Sequence, residues 1–180
     1  MTEKIIVAGF GGQGIMIMSK FLSCLAVATD RFTTYLPAYG AEVRGGTAHC
    51  MVIISDEEIY SPLIEKADSA IIMNEPSLIR FENRIKEGGV LFLNKSLINI
   101  KPKRNDFKTI EVPFTEIAQG TGNIKCANAV ALGAYLAYKK IAPEDKIYAV
   151  LYKMLDGLSK EIIALNQKAL EEGLNYGLPR

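Results

Sequence analysis

The sequence is poor in cysteine, and the spacing of the few cysteines excludes several classes of cofactor-bearing protein. Its 180 residues include three cysteines, Cys24, Cys50 and Cys126, and no C-x-x-C pair. An odd number of widely spaced cysteines does not suit a disulfide framework, and an iron–sulfur cluster usually needs a further thiolate. A zinc site would need His49 and all three cysteines from distant segments, so we expect the cysteines to be small core residues.

The chain also lacks an excess of charge of either sign and lacks long apolar segments. It has 21 lysines and arginines against 20 aspartates and glutamates, a formal net charge of +1. This balance gives no electrostatic footprint for nucleic acid, so we expect no nucleic-acid partner. No apolar run approaches the roughly 20 residues that span a bilayer, and the N-terminus lacks the regions of a signal peptide. We therefore expect a cytoplasmic protein with no membrane partner.

What the chain does contain is an alternation of strand-like and helix-like segments. Apolar or β-branched runs predict strands at 4–9, 31–36, 47–55, 68–74, 88–94 and 107–113. Apolar character or helical periodicity predicts helices at 15–28, 76–86, 128–140, 143–155 and 159–173. We therefore predict one α/β domain over residues 1–180, with a mostly parallel or mixed Rossmann-like sheet and a helical C-terminal third.

Individual residues suggest where helices and loops begin and end. Pro143 suits the first turn of a helix, Ser159 an N-cap and Gly173 a helix stop. The segment 37–46 contains Pro and three glycines and is typical of a loop, while 101–106 is typical of a solvated charged turn.

A glycine-rich turn precedes the first helix. Gly9, Gly11 and Gly14 match G-x-G-x-x-G between a strand and a helix, and Gly12 is a fourth glycine. Glycines permit positive φ and close approach, so we expect valine at Gly11 or Gly14 to disturb folding. The N-terminus of a helix presents free N–H groups to an anion.

The chemistry of this turn stays open at the level of the sequence. A dinucleotide site usually also has an acidic residue at the end of the second strand, and TTYLPAYG has none. Three interpretations stay open beside a dinucleotide site: a site for a different phosphate or carboxylate, a purely structural turn, and a turn that meets a partner chain.

A second motif, LPAYGAEVRGGTAHC at 36–50, carries more functional groups than a simple connector needs. Arg44 suits a carboxylate or phosphate across a subunit interface, or equally an ion pair with Glu42. Glu42 has no apparent partner for general-base catalysis, and Tyr39 suits an interface aromatic. We expect His49 to be structural, sharing a strand face with Thr47 and Met51.

The two motifs together resemble the γ subunit of the 2-oxoacid:ferredoxin oxidoreductases, over nearly the whole chain. NAVALGA (128–134) resembles a third family pattern, in which we expect Asn128 to cap or pack a helix start. The resemblance implies an α/β/α domain that packs against catalytic subunits. The positions to which we assign an anion-binding or interface role are Gly9, Gly11, Gly12, Gln13, Gly14, Tyr39, Glu42, Arg44, Gly45 and Gly46; Gly40 belongs to the same pattern.

The resemblance also implies an enzyme complex that oxidatively decarboxylates a 2-oxo acid to an acyl-CoA and reduces ferredoxin. The first expected substrate is 2-oxoglutarate, followed by pyruvate and branched-chain 2-oxo acids. Thiamine diphosphate, magnesium, iron–sulfur clusters and CoA are then held by, or shared with, partner α and β subunits and in some complexes a ferredoxin-like δ subunit. This chain has no G-D-G…N-N run, so we expect no metal ligands, no catalytic residues and no activity in isolation.

Two functions of other classes stay open beside this one. The first is a stand-alone regulatory protein that binds an anion or nucleotide, and the second is an NAD(P)-dependent enzyme.

Overall fold

A six-stranded sheet forms the centre of the computed structural model, which describes residues 1–39 and 47–177. The strands are β1 (Thr2–Phe10), β2 (Phe32–Tyr39), β3 (Thr47–Ser55), β4 (Ala67–Ile72), β5 (Ile85–Asn94) and β6 (Lys108–Val112). Their order across the sheet is β2-β3-β1-β4-β5-β6. β1, β4, β5 and β6 are parallel neighbours, whereas β3 runs antiparallel to both β1 and β2. The predicted α/β class is confirmed, and the sheet is mixed.

The helices cover both faces of this sheet. They are α1 (Ile15–Ala28), α2 (Glu75–Phe81), α3 (Phe114–Thr121), α4 (Ala127–Lys139), α5 (Glu144–Met154) and α6 (Lys160–Gly177). Five of them share one core with Ile5 and Val7 of β1, whereas α2 packs on the opposite face with Ile6 and Ala8. β1 is thus buried on both faces, which explains its unbroken apolar run. The α/β/α layering is confirmed.

Several predicted boundaries are wrong, for identifiable reasons. The helix expected over 76–86 ends at Phe81, and a short 3-10 helix, Glu82–Arg84, leads directly into β5. β5 starts before its expected first residue because a register shift lies between the Ile85 and Val90 pairings with β4. Residues 37–39 of the loop expected over 37–46 belong to β2, which continues through Tyr39, and the rest of that segment lies outside the described residues.

The C-terminal helices show one further correction. Gly173 does not stop a helix but lies inside α6, because α4 packs so closely there that a Cβ would come within 2.9 Å of the Val130 carbonyl carbon. Ser159 does act as an N-cap, its Oγ accepting from the Ile162 N–H at 3.3 Å. Pro143 lies directly before the first residue of α5. None of the helices in the described ranges has the length and apolarity that a bilayer crossing requires.

Candidate functional site

One edge of the sheet gathers the ends of most of its strands. β1, β4 and β5 end there, and the pairing of Phe10 with Thr47 and of Tyr39 with Ala48 places the end of β2 and the start of β3 at the same edge. In open α/β sheets, ligands bind outside the carboxyl ends of the strands. Both sequence motifs therefore begin or end at the edge where a ligand is expected. Gly40, Glu42, Arg44, Gly45 and Gly46 lie outside the described residues.

The glycine turn at this edge depends on glycine at two positions with positive φ. Gly12 has φ +98° and Gly14 has φ +74°, a region that side chains other than glycine rarely adopt. At Gly14 a Cβ would also lie 2.7 Å from Cγ of Asn128 at the start of α4. Asn128 is buried and packs against the turn. The turn therefore packs closely against the start of α4, the helix that carries the NAVALGA pattern.

The two other glycines of the pattern differ sharply from each other. A Cβ at Gly9 would meet Gln13 Oε1 at 2.6 Å and Met73 Cβ at 2.9 Å, so this position requires close packing. Among residues 1–39 and 47–177, a Cβ at Gly11 would meet nothing within 4 Å, and the φ of Gly11 is not positive. The expectation of positive φ at Gly11 is therefore wrong, and no described residue makes the close approach that was expected there.

Gln13 holds the turn in place from within. Its Oε1 accepts from the Phe10 N–H at 2.7 Å and from Asn74 Nδ2 at 3.4 Å, while its Nε2 donates to the Met73 carbonyl at 3.4 Å. One amide thus ties the turn to the ends of β1 and β4. The Gln13 side chain is therefore engaged within the chain.

The N-terminus of α1 is left without a side-chain cap. Gly14 is the N-cap residue and offers no side chain, and the first turn of α1 carries no acidic residue. A helix start with these properties presents backbone N–H groups and the positive end of the helix dipole to its surroundings. It is therefore suited to a negatively charged group.

Two cavities flank the turn, and Gly12 lines both. The first has a volume of about 270 Å³ and is mostly apolar, with Met16 and Tyr39 among its walls. Tyr39 is 71% exposed, so its ring forms an open rim. The second has a volume of about 250 Å³ and contains Thr115 and Lys125. Both cavities are mostly apolar, and the second adds the polar side chains of Gln13, Thr115 and Lys125 to its walls.

Lys125 and Thr115 are residues that the sequence motifs did not indicate. Lys125 lies in a short 3-10 helix, Ile124–Cys126, directly before α4, and Thr115 lies in the first turn of α3. The only signal for Lys125 is its place three residues before Asn128. Its ammonium group brings a positive charge to the cavity wall opposite the glycine turn.

Buried asparagines fix the strand ends that support this site. The Asn74 side chain caps α2 by accepting from the Ser77 N–H at 2.9 Å. The fully buried Asn94 donates to the Met73 carbonyl at 3.2 Å and to Thr115 Oγ1 at 3.0 Å. These bonds tie the end of β5 to the cavity wall that contains Thr115.

His49 lies close to the same edge but has the properties of a packed side chain. Its ring packs against the Phe81 ring, with centroids 4.8 Å apart and the two planes tilted by 50°. Partial burial, and secondarily the positive charges of Arg80 and Arg84, lower the pKa of His49. The imidazole is therefore neutral near pH 7, and its packing supports the structural interpretation.

The cysteines do not form a metal-binding set. Cys50 and Cys126 belong to the core, and burial raises the pKa of the Cys50 thiol to about 11 and also raises the pKa of Cys126. His49 faces the opposite side of β3 from Cys50, so the two cannot share an ion. Within residues 1–39 and 47–177 no three potential ligands are close enough to hold a metal. The donor set thus fits neither an iron–sulfur cluster nor the magnesium of a thiamine diphosphate site.

The sequence as a whole matches a known family. The match is to the family described as pyruvate ferredoxin/flavodoxin oxidoreductase, and it extends over residues 4–176. The chain belongs to this family. The resemblance expected from the two glycine-containing motifs is confirmed.

Individual relatives in this family carry different substrate names. The chain is 34% identical to the ketoisovalerate oxidoreductase subunit VorA of Methanothermobacter marburgensis over 96% of its own length, but it spans only 36% of that protein. It is 31% identical to the 2-oxoglutarate synthase subunit KorC of Methanocaldococcus jannaschii, covering 96% of this chain and 92% of that protein. Both relatives are subunits of 2-oxoacid oxidoreductases.

A solved structure matches the fold along almost all of both chains. The γ subunit of a keto/oxoacid ferredoxin oxidoreductase from Geobacter sulfurreducens superposes with a TM-score of 0.83 at 25% identity, covering 97% of this chain and 98% of that one. The mixed sheet with its helical C-terminal part is therefore the fold of a γ subunit.

Proposed function

We propose that this chain is the γ subunit of a complex that oxidatively decarboxylates a 2-oxo acid to an acyl-CoA and passes the electrons to ferredoxin. The observation that carries the proposal is the family match over residues 4–176, with the family's glycine turn at the ligand edge of the sheet. The α and β subunits, with a δ subunit in some complexes, supply thiamine diphosphate, magnesium and the clusters. The donor set of this chain supports that division. The cytoplasmic location stays a prediction.

For the substrate we propose 2-oxoglutarate, with 3-methyl-2-oxobutanoate (ketoisovalerate) as the second candidate. The relative that matches this chain in length is a 2-oxoglutarate synthase subunit, whereas the 34% identical relative is a ketoisovalerate oxidoreductase subunit. Pyruvate ranks after these two.

For the site we propose that the glycine turn and Lys125 bind an anionic group, with a phosphate of CoA as the candidate. The uncapped start of α1 offers N–H donors, Gly11 and Gly12 leave open space, and Lys125 adds a charge to the same cavity as Gly12. Gly9 and Gln13 hold the turn, and Gly14 fits it to α4. This arrangement would equally serve a stand-alone regulatory protein that binds an anion.

A dinucleotide-binding function has less support. A dinucleotide-binding unit places its first two strands side by side and parallel, with a carboxylate at the end of the second. Here β3 lies between β1 and β2, and β2 ends in Ala38 and Tyr39. The usual ribose contact therefore has no counterpart at the end of β2.

For the 36–50 motif we propose a contact with the catalytic subunits. Of the motif residues to which we assign this role, Tyr39 lies within the described ranges, and its exposure at the rim of the apolar cavity supports the role. Glu42, Arg44, Gly45 and Gly46 stay predictions from sequence. Arg44→Ala should leave the melting temperature of the single chain unchanged, and it should lower activity or assembly of the complex about tenfold if it removes one charge-assisted pair.

The deciding experiment is purification of the chain with its co-expressed catalytic subunits, followed by assay of ferredoxin reduction with CoA and each 2-oxo acid. We expect the assembled complex to be active, with the highest kcat/KM for 2-oxoglutarate, and the isolated chain to be inactive. A highest kcat/KM for ketoisovalerate would select the second candidate. An isolated, monomeric chain that binds a nucleotide tightly and never joins catalytic subunits would establish the regulatory function instead.

A further inference from the structure

A groove between α1, β2 and α5 lies away from the glycine turn and shares no lining residue with the two cavities there. Its volume is about 570 Å³, more than that of either of those cavities. Its walls are mostly apolar and include Cys24, Val27, Tyr35, Val150 and Met154. We refer to it as the α1–β2–α5 groove. The proposed activity assigns it no role.

The outer face of α1 next to this groove lacks the charges of an ordinary surface helix. Lys20 is the one charged residue among the 14 of α1, while Ile17 is 59% and Val27 64% exposed. A helix on the surface of a globular protein usually has a polar outer face, and one that is apolar on all sides is buried. The exposed face of α1 is therefore suited to cover by another polypeptide.

The two outermost strands of the sheet, β6 and β2, also differ in the charge that they carry. β6, at one edge, carries Lys108 and Glu111, and such charges usually protect an edge strand. β2, at the other edge, has no charged residue, and its Phe32 is 48% exposed. Pro37 removes an N–H from β2 and disfavours the addition of a further strand. We therefore expect side chains of a partner, rather than a new strand, to cover this edge.

The charges of the groove indicate the kind of partner. Lys20 and Lys153 are the charged residues that line it. In a symmetric pair both copies use the same patch, so a second copy would bring two more lysines against these. A partner segment that is apolar with flanking carboxylates fits both the walls and the charges.

Relatives of this chain support a large partner. The ketoisovalerate relative is matched over only 36% of its length, so there the same unit is part of a longer polypeptide. Covalent attachment keeps such a unit against its neighbour at high effective concentration. A separate chain lacks that attachment, so it needs a surface of its own to bind its neighbour, and we infer that the surface beside α1 serves this purpose.

We propose that the α1–β2–α5 groove docks an apolar segment, flanked by carboxylates, of a catalytic subunit of the same complex. This proposal rests on the proposed function and adds a second contact with the catalytic subunits to that proposed for the 36–50 motif. The second contact lies on α1, β2 and α5, apart from the anion site at the glycine turn.

The first test compares Val27→Glu with Ile79→Glu in the co-expressed complex. Val27 lines the groove, whereas Ile79 is 58% exposed on α2, on the opposite face of the sheet. We expect Val27→Glu to weaken association with the catalytic subunits at least about tenfold, with an unchanged melting temperature of the single chain. Ile79→Glu should assemble like the unchanged chain.

The second test reverses a charge. Lys153→Glu should weaken association and remove part of its salt dependence, because an acidic partner would then meet a carboxylate. Lys168→Glu is the matched control, since Lys168 is an exposed lysine on α6 that does not line the groove. Equal weakening by both variants would show a general effect of net charge and overturn the proposed complementarity.

The outcomes separate this proposal from the function on which it rests. An active complex that Val27→Glu leaves fully assembled would overturn the groove proposal and leave the proposed function intact. A single chain that forms dimers by light scattering, lost on Val27→Glu, would assign the groove to a second copy and also overturn it. An unchanged chain that neither joins the catalytic subunits nor supports 2-oxo acid oxidation would overturn both.

Discussion

The two ends of β1 have opposite designs. At its start, Glu3 is 4% exposed, and its carboxylate pairs with Lys139 Nζ at 2.9 Å and accepts from Ser69 Oγ at 2.6 Å and Tyr135 Oη at 3.4 Å. At its end, Gly11 and Gly12 have no described residue within 4 Å of where a Cβ would lie, and they precede an uncapped helix start. The start of β1 at Glu3, which we call the closed end, uses its polar groups within the chain. The turn after β1 at Gly11 and Gly12, which we call the open end, leaves backbone donors available to a ligand.

This difference indicates which end stabilises the fold and which serves a ligand. A buried charge destabilises a protein unless it is paired and hydrogen-bonded, so the contacts of Glu3 are needed for folding. The same environment raises the pKa of Tyr135 well above its usual value, through burial and the adjacent Glu3 carboxylate. A turn with open glycines makes no such contacts and depends instead on backbone geometry.

The largest effect is expected at the closed end. Glu3→Ala removes one partner of a buried ion pair and leaves Lys139, which is only partly exposed, without its carboxylate. We expect the free energy of unfolding to fall by about 3 kcal/mol, measured by urea denaturation. Glu65→Ala, at an exposed position, should change it by less than about 0.5 kcal/mol. Equal effects of the two variants would show that the Glu3 contacts add no stability.

The second effect distinguishes two glycines of the open end. Gly14→Ala combines positive φ with a clash against Asn128, so we expect a loss of about 1–3 kcal/mol in the free energy of unfolding. Gly11→Ala has neither problem and should be neutral within about 0.5 kcal/mol. Thermal denaturation of the two variants gives the comparison. A destabilised Gly11→Ala would contradict the open conformation of the turn.

The third effect concerns the cavity beside the glycine turn that Thr115 and Lys125 line. Lys125→Ala should weaken CoA binding to the assembled complex about tenfold, since a hydrogen bond to a charged group contributes roughly 1.5 kcal/mol. Stability should not change, because no ion pair of Lys125 occurs among the described residues. Lys101→Ala, an exposed lysine on the charged turn, is the control for calorimetric titration. Identical affinities would remove Lys125 from the site.

The smallest effect is a pH dependence from His49, which pairs with Ala8 near the open end of β1. Its folded pKa is lowered, chiefly by burial, so the unfolded chain takes up the proton first on acidification. Its contribution to stability is therefore complete above about pH 6.5 and is lost as the pH falls through the folded pKa. His49→Gln should flatten this part of the stability curve between about pH 7.5 and pH 5. Parallel curves for both proteins would contradict it.

Local sequence signals predicted the elements whose causes are local. The helix expected at 15–28 has the bounds of α1, since a long apolar run follows a glycine turn there. The strand at 47–55 is β3, with Thr47 and Met51 on the His49 face as alternation requires. Such periodic patterns depend only on which face of an element is buried.

Features that arise from tertiary contacts could not be read from local signals. Gly173 has the sequence context of a helix end, but a glycine is needed at this position because α4 packs closely on α6 there. No pattern within β3 indicates that it lies antiparallel between β1 and β2. Lys125 reaches the site only because α3 and α4 bring it beside the glycine turn. The sequence thus indicated the glycine turn as part of the candidate site, but it did not indicate the cavity wall that contains Lys125.

The most direct test of the central claim is amide hydrogen exchange of the chain, free and in the assembled complex with CoA. Exchange reports local opening and contact at individual backbone N–H groups. We predict that amides of residues 11–17 exchange at least about tenfold more slowly in the complex, while those of residues 3–8, already protected in β1, do not change. Unchanged exchange at residues 11–17 would contradict the claim that the open end of β1 is where this subunit meets its ligand.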